Sequence, residues 1–123
     1  MPNRGIFEMG FREWLINYLE RKLGRDYRDI KVNVGDRRHE FKGHYPDLIL
    51  ASHGITVALM EVETEETLKD RNRPRVWKEL AGLGPKLILM IPAHAKAKVT
   101  EMLWREGLAG KVSIATYDIV VKM

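Results

Sequence analysis

The stretch Pro46-Asp47-Leu48-Ile49-Leu50-Ala51-Ser52-His53-Gly54-Ile55-Thr56-Val57-Ala58-Leu59-Met60-Glu61-Val62-Glu63 decides how the chain is read. Two runs rich in Leu, Ile, Val and Ala flank His53-Gly54, the pattern of two strands joined by a tight turn. The second run is apolar at successive positions rather than alternate ones, as in a central strand covered on both faces. Its end differs from its middle, because Glu61 and Glu63 flank Val62. Strand residues two apart share a face, with about 7 Å between their Cα atoms. Both carboxylates are therefore expected on one side of the sheet, with Asp47 beside them at the start of the neighbouring strand.

Outward from this hairpin, helical and extended patterns alternate. Phe7, Phe11, Trp14, Leu15, Tyr18 and Leu19 recur at helical spacing, predicting a helix from residue 4 or 10 to residue 23, with Gly24 as its stop. Residues 29–34 alternate apolar and polar, and Gly35-Asp36 is read as a turn into a second extended run ending near Phe41. After the acidic strand, Thr64 is expected to cap a short helical turn, and Pro74 suits the first turn of a helix over residues 75–83. A buried strand over 86–92, a helix over 95–108 and a last strand or strands over 111–121 complete the chain. Trp77 and Trp104 are expected in the core. The predicted class is α/β, a three-layer αβα arrangement around a central mixed sheet in the order α-β-β-β-α-β-α-β, with the strand at Leu87 joined to that at Thr56 by a helical crossover.

At 123 residues the chain is expected to form a single domain over 1–123, long enough to bury a core without disulfides. No apolar run approaches the roughly 18 residues of a membrane span. The absence of Cys and of a signal-like apolar N-terminus points to the cytoplasm. The lack of Gln and the abundance of Lys, Arg and Glu are the composition of heat-adapted proteins. A net charge of +4 and a pI near 9.4 favour an anionic partner. Arg37, Arg38, Lys42, Arg71, Arg73 and Arg75 cluster in sequence next to the acidic segments, which makes nucleic acid the expected partner.

Three carboxylates at the ends of adjacent strands repel one another unless a cation offsets them. A hard divalent ion, Mg²⁺ or Mn²⁺, is the natural offset, since it takes one or two carboxylates plus waters and phosphate oxygens. His39, His44 and His53 match no compact zinc spacing, although His44 is placed to contact phosphate. Gly82 and Gly84 follow a helix where a dinucleotide loop opens one, and no nucleophile elbow surrounds Ser52 or Ser113.

Tyr45-Pro46-Asp47, thirteen residues, then Glu61-Val62-Glu63 resemble the motif of the PD-(D/E)XK nuclease superfamily. The resemblance implies a restriction-endonuclease-like or Holliday-junction-resolvase-like fold and a metal-dependent endonuclease acting on DNA phosphodiesters, with homodimers common among small members. It assigns the metal to Asp47, Glu61 and the Val62 carbonyl. The family lysine is Glu63 here, as in some restriction enzymes. A lysine recruited from the following helix would be Lys78, and the glutamate often found in the family's first helix would be Glu8 or Glu13. Two other readings stand beside this one. One is a nucleic-acid-binding module of the same fold that has lost cleavage; the other is an interaction domain whose acidic trio pairs with arginines such as Arg73 or Arg75.

Overall fold

The computed structural model describes residues 3–120 and 122, with side chains from Gly10 onward. Among the described residues the chain is an α/β structure with three α-helices and one five-stranded mixed sheet. In order it runs α1 (Asn3–Leu23), β1 (Asp29–Val32), β2 (Leu48–Ser52), β3 (Ile55–Val62), α2 (Arg73–Ala81), β4 (Lys86–Pro92), α3 (Lys96–Arg105) and β5 (Val112–Tyr117), with short 3-10 turns at Thr67–Lys69 and Ala93–Ala95. The sheet order is β1-β2-β3-β4-β5. The first two pairings are antiparallel and the last two parallel. Among the described residues no helix is long and apolar enough to cross a membrane.

Strand periodicity divides β3 between two cores. Its even residues Ala58, Met60 and Val62 pack with Leu48 and Leu50 against Leu15, Ile16 and Leu19 of α1. Its odd residue Leu59 packs with Ile49, Leu87, Leu89 and Ile91 against Trp77 and Leu80 of α2 and Val99 and Leu103 of α3. Burial on both faces holds only where β4 flanks the strand. Pairing with β4 begins at Ala58, and before it Ile55 and Val57 are exposed.

The expected hairpin at Gly35-Asp36 does not form. Strand β1 pairs instead with β2, Asp29 opposite Ala51 and Val32 opposite Leu48. Residues 33–46 are looped because the buried Asn33 side chain takes up the backbone groups that a second strand would have used. Its Oδ1 accepts from the Arg38 and His39 amides at 3.0 and 2.8 Å, and its Nδ2 donates to the Pro46 and His39 carbonyls at 2.6 and 3.0 Å. A local side chain has outcompeted the ladder.

The helix expected over 95–108 is shorter. It ends at Arg105, where Gly107 adopts φ 72° and the Leu108 amide donates back to the Leu103 carbonyl at 2.8 Å, a Schellman-type end that still turns Leu108 inward. Trp77 is fully buried as expected, but Trp104 is not a core residue. It follows Leu103 on α3 and so points about 100° away from the buried stripe, out to solvent. Trp14 and Tyr18 are likewise exposed, the inward face of α1 being Leu15, Ile16 and Leu19. Val121, placed in the last strand by sequence, lies outside the described residues.

Candidate functional site

The β2–β3 register sets the site. Leu48 lies opposite Met60, so Asp47, one residue earlier, falls opposite Glu61. Asp47, Glu61 and Glu63 all occupy odd positions and share the face of Ile49 and Leu59. They are buried, Asp47 and Glu61 at 6% exposure and Glu63 at 0%. Two backbone bonds lock the strand ends together: the Asp47 amide donates to Glu61 Oε1, and the Val62 amide to Asp47 Oδ2, both at 2.8 Å.

Two arginines supply the opposing charge. Arg73 reaches this face because the chain doubles back after β3. Thr64 and Thr67 exchange amide-to-hydroxyl bonds at 2.8 and 3.2 Å, closing a turn that Leu68 anchors in the core, and Pro74 then opens α2. The Arg73 guanidinium donates to Glu61 Oε2 at 3.0 Å and to both oxygens of Glu63. Glu63 also accepts from Trp77 Nε1 at 2.9 Å and Thr67 Oγ1 at 2.6 Å, while its carbonyl accepts from the Tyr117 hydroxyl at 2.9 Å. From the other side of the sheet, Arg12 on α1 donates from Nη2 to Asp47 Oδ2 and from Nε to the Val62 carbonyl at 3.1 Å. The trio thus pairs with Arg73, as one expectation had it, whereas Arg75 bonds the exposed Glu79 at 3.6 Å.

Burial governs the protonation of this cluster. Loss of water pushes Glu61 up to about 8, helped by the charges of Asp47 and Glu63 and opposed by the Asp47 amide and by Arg73. Burial also raises Asp47 against the pull of Arg12 and the Val62 amide. Arg73 is buried as well, which works against its charge, but its bonds and attraction to Glu63 and Glu61 hold it above the ordinary arginine value. With a proton on Glu61, two carboxylates face two guanidiniums and the cluster is neutral.

The atoms that the family resemblance assigns to a metal are therefore already bonded. Asp47 Oδ2 and the Val62 carbonyl share Arg12, and Glu61 Oε2 holds Arg73. Of the six carboxylate oxygens, Asp47 Oδ1 alone accepts no hydrogen bond among the described residues. No group of three or more His, Cys, Asp or Glu side chains among the described residues is arranged to hold a metal ion. As arranged, this donor set does not fit Mg²⁺ or Mn²⁺, because Asp47 Oδ2, Glu61 Oε2 and the Val62 carbonyl accept from guanidinium N–H groups.

The remaining sequence candidates do not join the cluster. Lys78 is exposed and pairs with Glu106 at 3.9 Å, so it supplies no cation here. Glu8 lies outside the residues whose side chains are described. Glu13 lines a cavity of about 300 Å³ with Arg12, Arg37, Tyr45 and Asp47 but bonds none of the trio. The six basic candidates form no single patch. Arg37 stacks over Tyr45, exposed Arg38 pairs with Asp36, and Lys42 donates to the Leu83 carbonyl beyond the end of α2. Arg71 is exposed just before the start of that helix, about 13 Å away by helix length, and Arg73 is turned inward. Arg12 escaped the sequence reading, although a signal exists: it sits three, four and seven residues before Leu15, Ile16 and Leu19, a cation inside the apolar stripe.

No protein-family model, curated protein or solved structure matches the chain.

Proposed function

We propose that the chain is a nucleic-acid-binding domain of PD-(D/E)XK type that binds without cutting, its acidic site satisfied by arginine in place of a divalent ion. The observation that carries this reading is the Arg12 guanidinium bridging Asp47 and the Val62 carbonyl while Arg73 bridges Glu61 and Glu63. Support for this reading comes from the buried carboxylates at the ends of β2 and β3 and from the helices packed on both sheet faces. The basic balance of the chain, +4, supports an anionic polymer, DNA in the first instance, as partner.

A second reading, a DNA endonuclease using Mg²⁺ or Mn²⁺, draws support from the convergence of three buried carboxylates, which is costly in a fold that has no use for them. It requires an ion to displace both arginines. One experiment separates the two. Duplex, branched and single-stranded DNA are incubated with the protein in EDTA and in millimolar Mg²⁺ or Mn²⁺, and binding and cleavage are followed together. The expected outcome is salt-sensitive binding that EDTA leaves unchanged, and intact DNA. Metal-dependent nicking that Asp47→Ala and Glu61→Ala abolish would overturn the binding-only reading in favour of the nuclease.

A further inference from the structure

A groove of about 370 Å³ runs between the segment at residues 68–74 and helix α3, lined by none of the acidic trio. Its apolar lining is Leu68, Pro74 and Met102, its cations are Lys69 and Arg71 on one wall and Lys98 and Arg105 on the other, and each wall also carries one acid, Asp70 and Glu106. Lys98, Met102 and Arg105 stand at i, i+4 and i+7, so one face of α3 points into the groove over about 10 Å of axis.

The pairing of these charges is uneven. Exposed cations around the groove are mostly engaged by a nearby acid: Lys69 by Glu66 at 3.3 Å, Arg105 by Glu101 at 2.6 Å, and Lys78 by Glu106 at 3.9 Å. Arg71 and Lys98 are exposed and have no acidic partner among the described residues, and they come from opposite walls. The acid next to Arg71, Asp70, is turned into the backbone, where its carboxylate accepts the Asn72 amide at 2.9 Å. Exposed pairs such as Lys69 with Glu66 hold weakly and can exchange an acid for another anion at little cost.

We propose that this groove takes the phosphodiester backbone of a nucleic acid strand, with Arg71 and Lys98 as its primary phosphate contacts and Lys69 and Arg105 joining by leaving their acid partners. The inference rests on the reading that the chain binds nucleic acid, and it names the surface that does so. An apolar floor under a rim on which four cations outnumber two acids suits the sugar faces and phosphates of a strand. Of the six cations expected from the sequence, Arg71 lines this groove, whereas Arg37 is stacked on Tyr45, Arg38, Lys42 and Arg75 are bonded elsewhere, and Arg73 is turned inward. The rival basic surface is formed by the exposed Arg21, Lys22 and Arg25 at the end of α1.

The test measures binding of a fluorescent DNA oligonucleotide and its RNA counterpart across a salt series. Arg71→Glu with Lys98→Glu is expected to weaken binding at least tenfold and to flatten the log–log salt slope by roughly 1.5 to 2, the share of two lost phosphate contacts. Arg71→Gln with Lys98→Gln repeats the test with less perturbation, and the circular dichroism of each variant is recorded. Lys22→Glu with Arg25→Glu is expected to change affinity less than twofold. Parent-like binding by the Arg71 and Lys98 variants, with loss in the α1 variant, overturns the groove while leaving the nucleic-acid reading intact. A parent protein that binds neither oligonucleotide overturns both, and binding to anionic vesicles instead assigns the charge to a membrane surface.

Discussion

The protein holds arginine–carboxylate pairs in two settings. On the helix surfaces, Arg105 meets Glu101 with side chains 67% and 71% exposed; at the strand ends, Arg73 meets Glu63 with 18% and 0%. The chemistry is the same and the environment is opposite. In water such a pair trades one hydration shell for another and is worth little. Out of water each charge has forfeited its hydration, so the partner becomes indispensable even where the pair as a whole adds little to stability. The difference teaches that the strand-end cluster is a mutual dependency: each group is tolerated because the others are there.

Breaking that dependency gives the largest expected effect. Arg73→Ala leaves Glu63 buried without its cation, and removal of one partner of a buried pair costs about 3–5 kcal/mol. The thermal midpoint should fall by roughly 10 °C or more. Arg73→Met combined with Glu63→Gln should recover most of the loss, since an amide oxygen can still accept from Trp77 and Thr67. If Arg73→Ala proves no worse than Arg105→Ala in a denaturation series, burial does not separate the two settings and the comparison fails.

The legible part of this site followed from short-range geometry. The two-residue period of a strand put Glu61 and Glu63 on one face, and the turn at His53-Gly54 brought Asp47 opposite. The countercharge was legible only in part, as a pairing of the trio with Arg73 or Arg75 that sequence could not choose between. Arg73 reads as one of three basic residues around Pro74, and only the closure of the 64–72 segment on its threonines and Leu68 turns it inward while Arg71 and Arg75 stay out. Arg12 comes from the opposite side of the sheet, fifty residues from the carbonyl it meets. The loop at 33–46 was misread for a related reason: alternation is a pattern of side chains, but Asn33 determined the outcome by taking the backbone's hydrogen bonds. Trp104 faces solvent because it stands about 100° around α3 from the core residue Leu103.

Acidity sharpens the comparison at intermediate magnitude. Glu61 titrates near 8 in the folded protein against an ordinary carboxylate value of 4.5, so the folded state holds its proton more tightly. A group raised in this way stabilises fully below its unfolded value and loses that contribution as pH rises through the folded one. Asp47, raised in the same direction, adds to the trend. Stability should therefore decline between about pH 4.5 and 8 by an amount on the order of a few kcal/mol. Glu61→Gln, which mimics the protonated acid, should flatten this decline. Urea midpoints for both proteins across the pH range check it, and equal slopes would mean that Glu61 does not carry the proton.

The smallest effects belong to the exposed helix pairs, and here the comparison can be tested against itself. Glu101 precedes Arg105 by four residues, the orientation that agrees with the helix dipole, and their atoms stand at 2.6 Å. Arg75 precedes Glu79 by the same spacing, the reverse orientation, and the separation is 3.6 Å. Double-mutant cycles to alanine should give a coupling of about 0.3–0.5 kcal/mol for the first pair and less for the second. Both couplings should shrink in 1 M salt, where the screening length is only about 3 Å. The coupling of Arg73 with Glu61, measured in the same way, should be larger and should change little with salt because water and ions are excluded from it. A salt-sensitive coupling there, comparable with that of Arg105 and Glu101, would mean that the strand-end cluster is open to solvent and that its arginines can be displaced by an incoming ion.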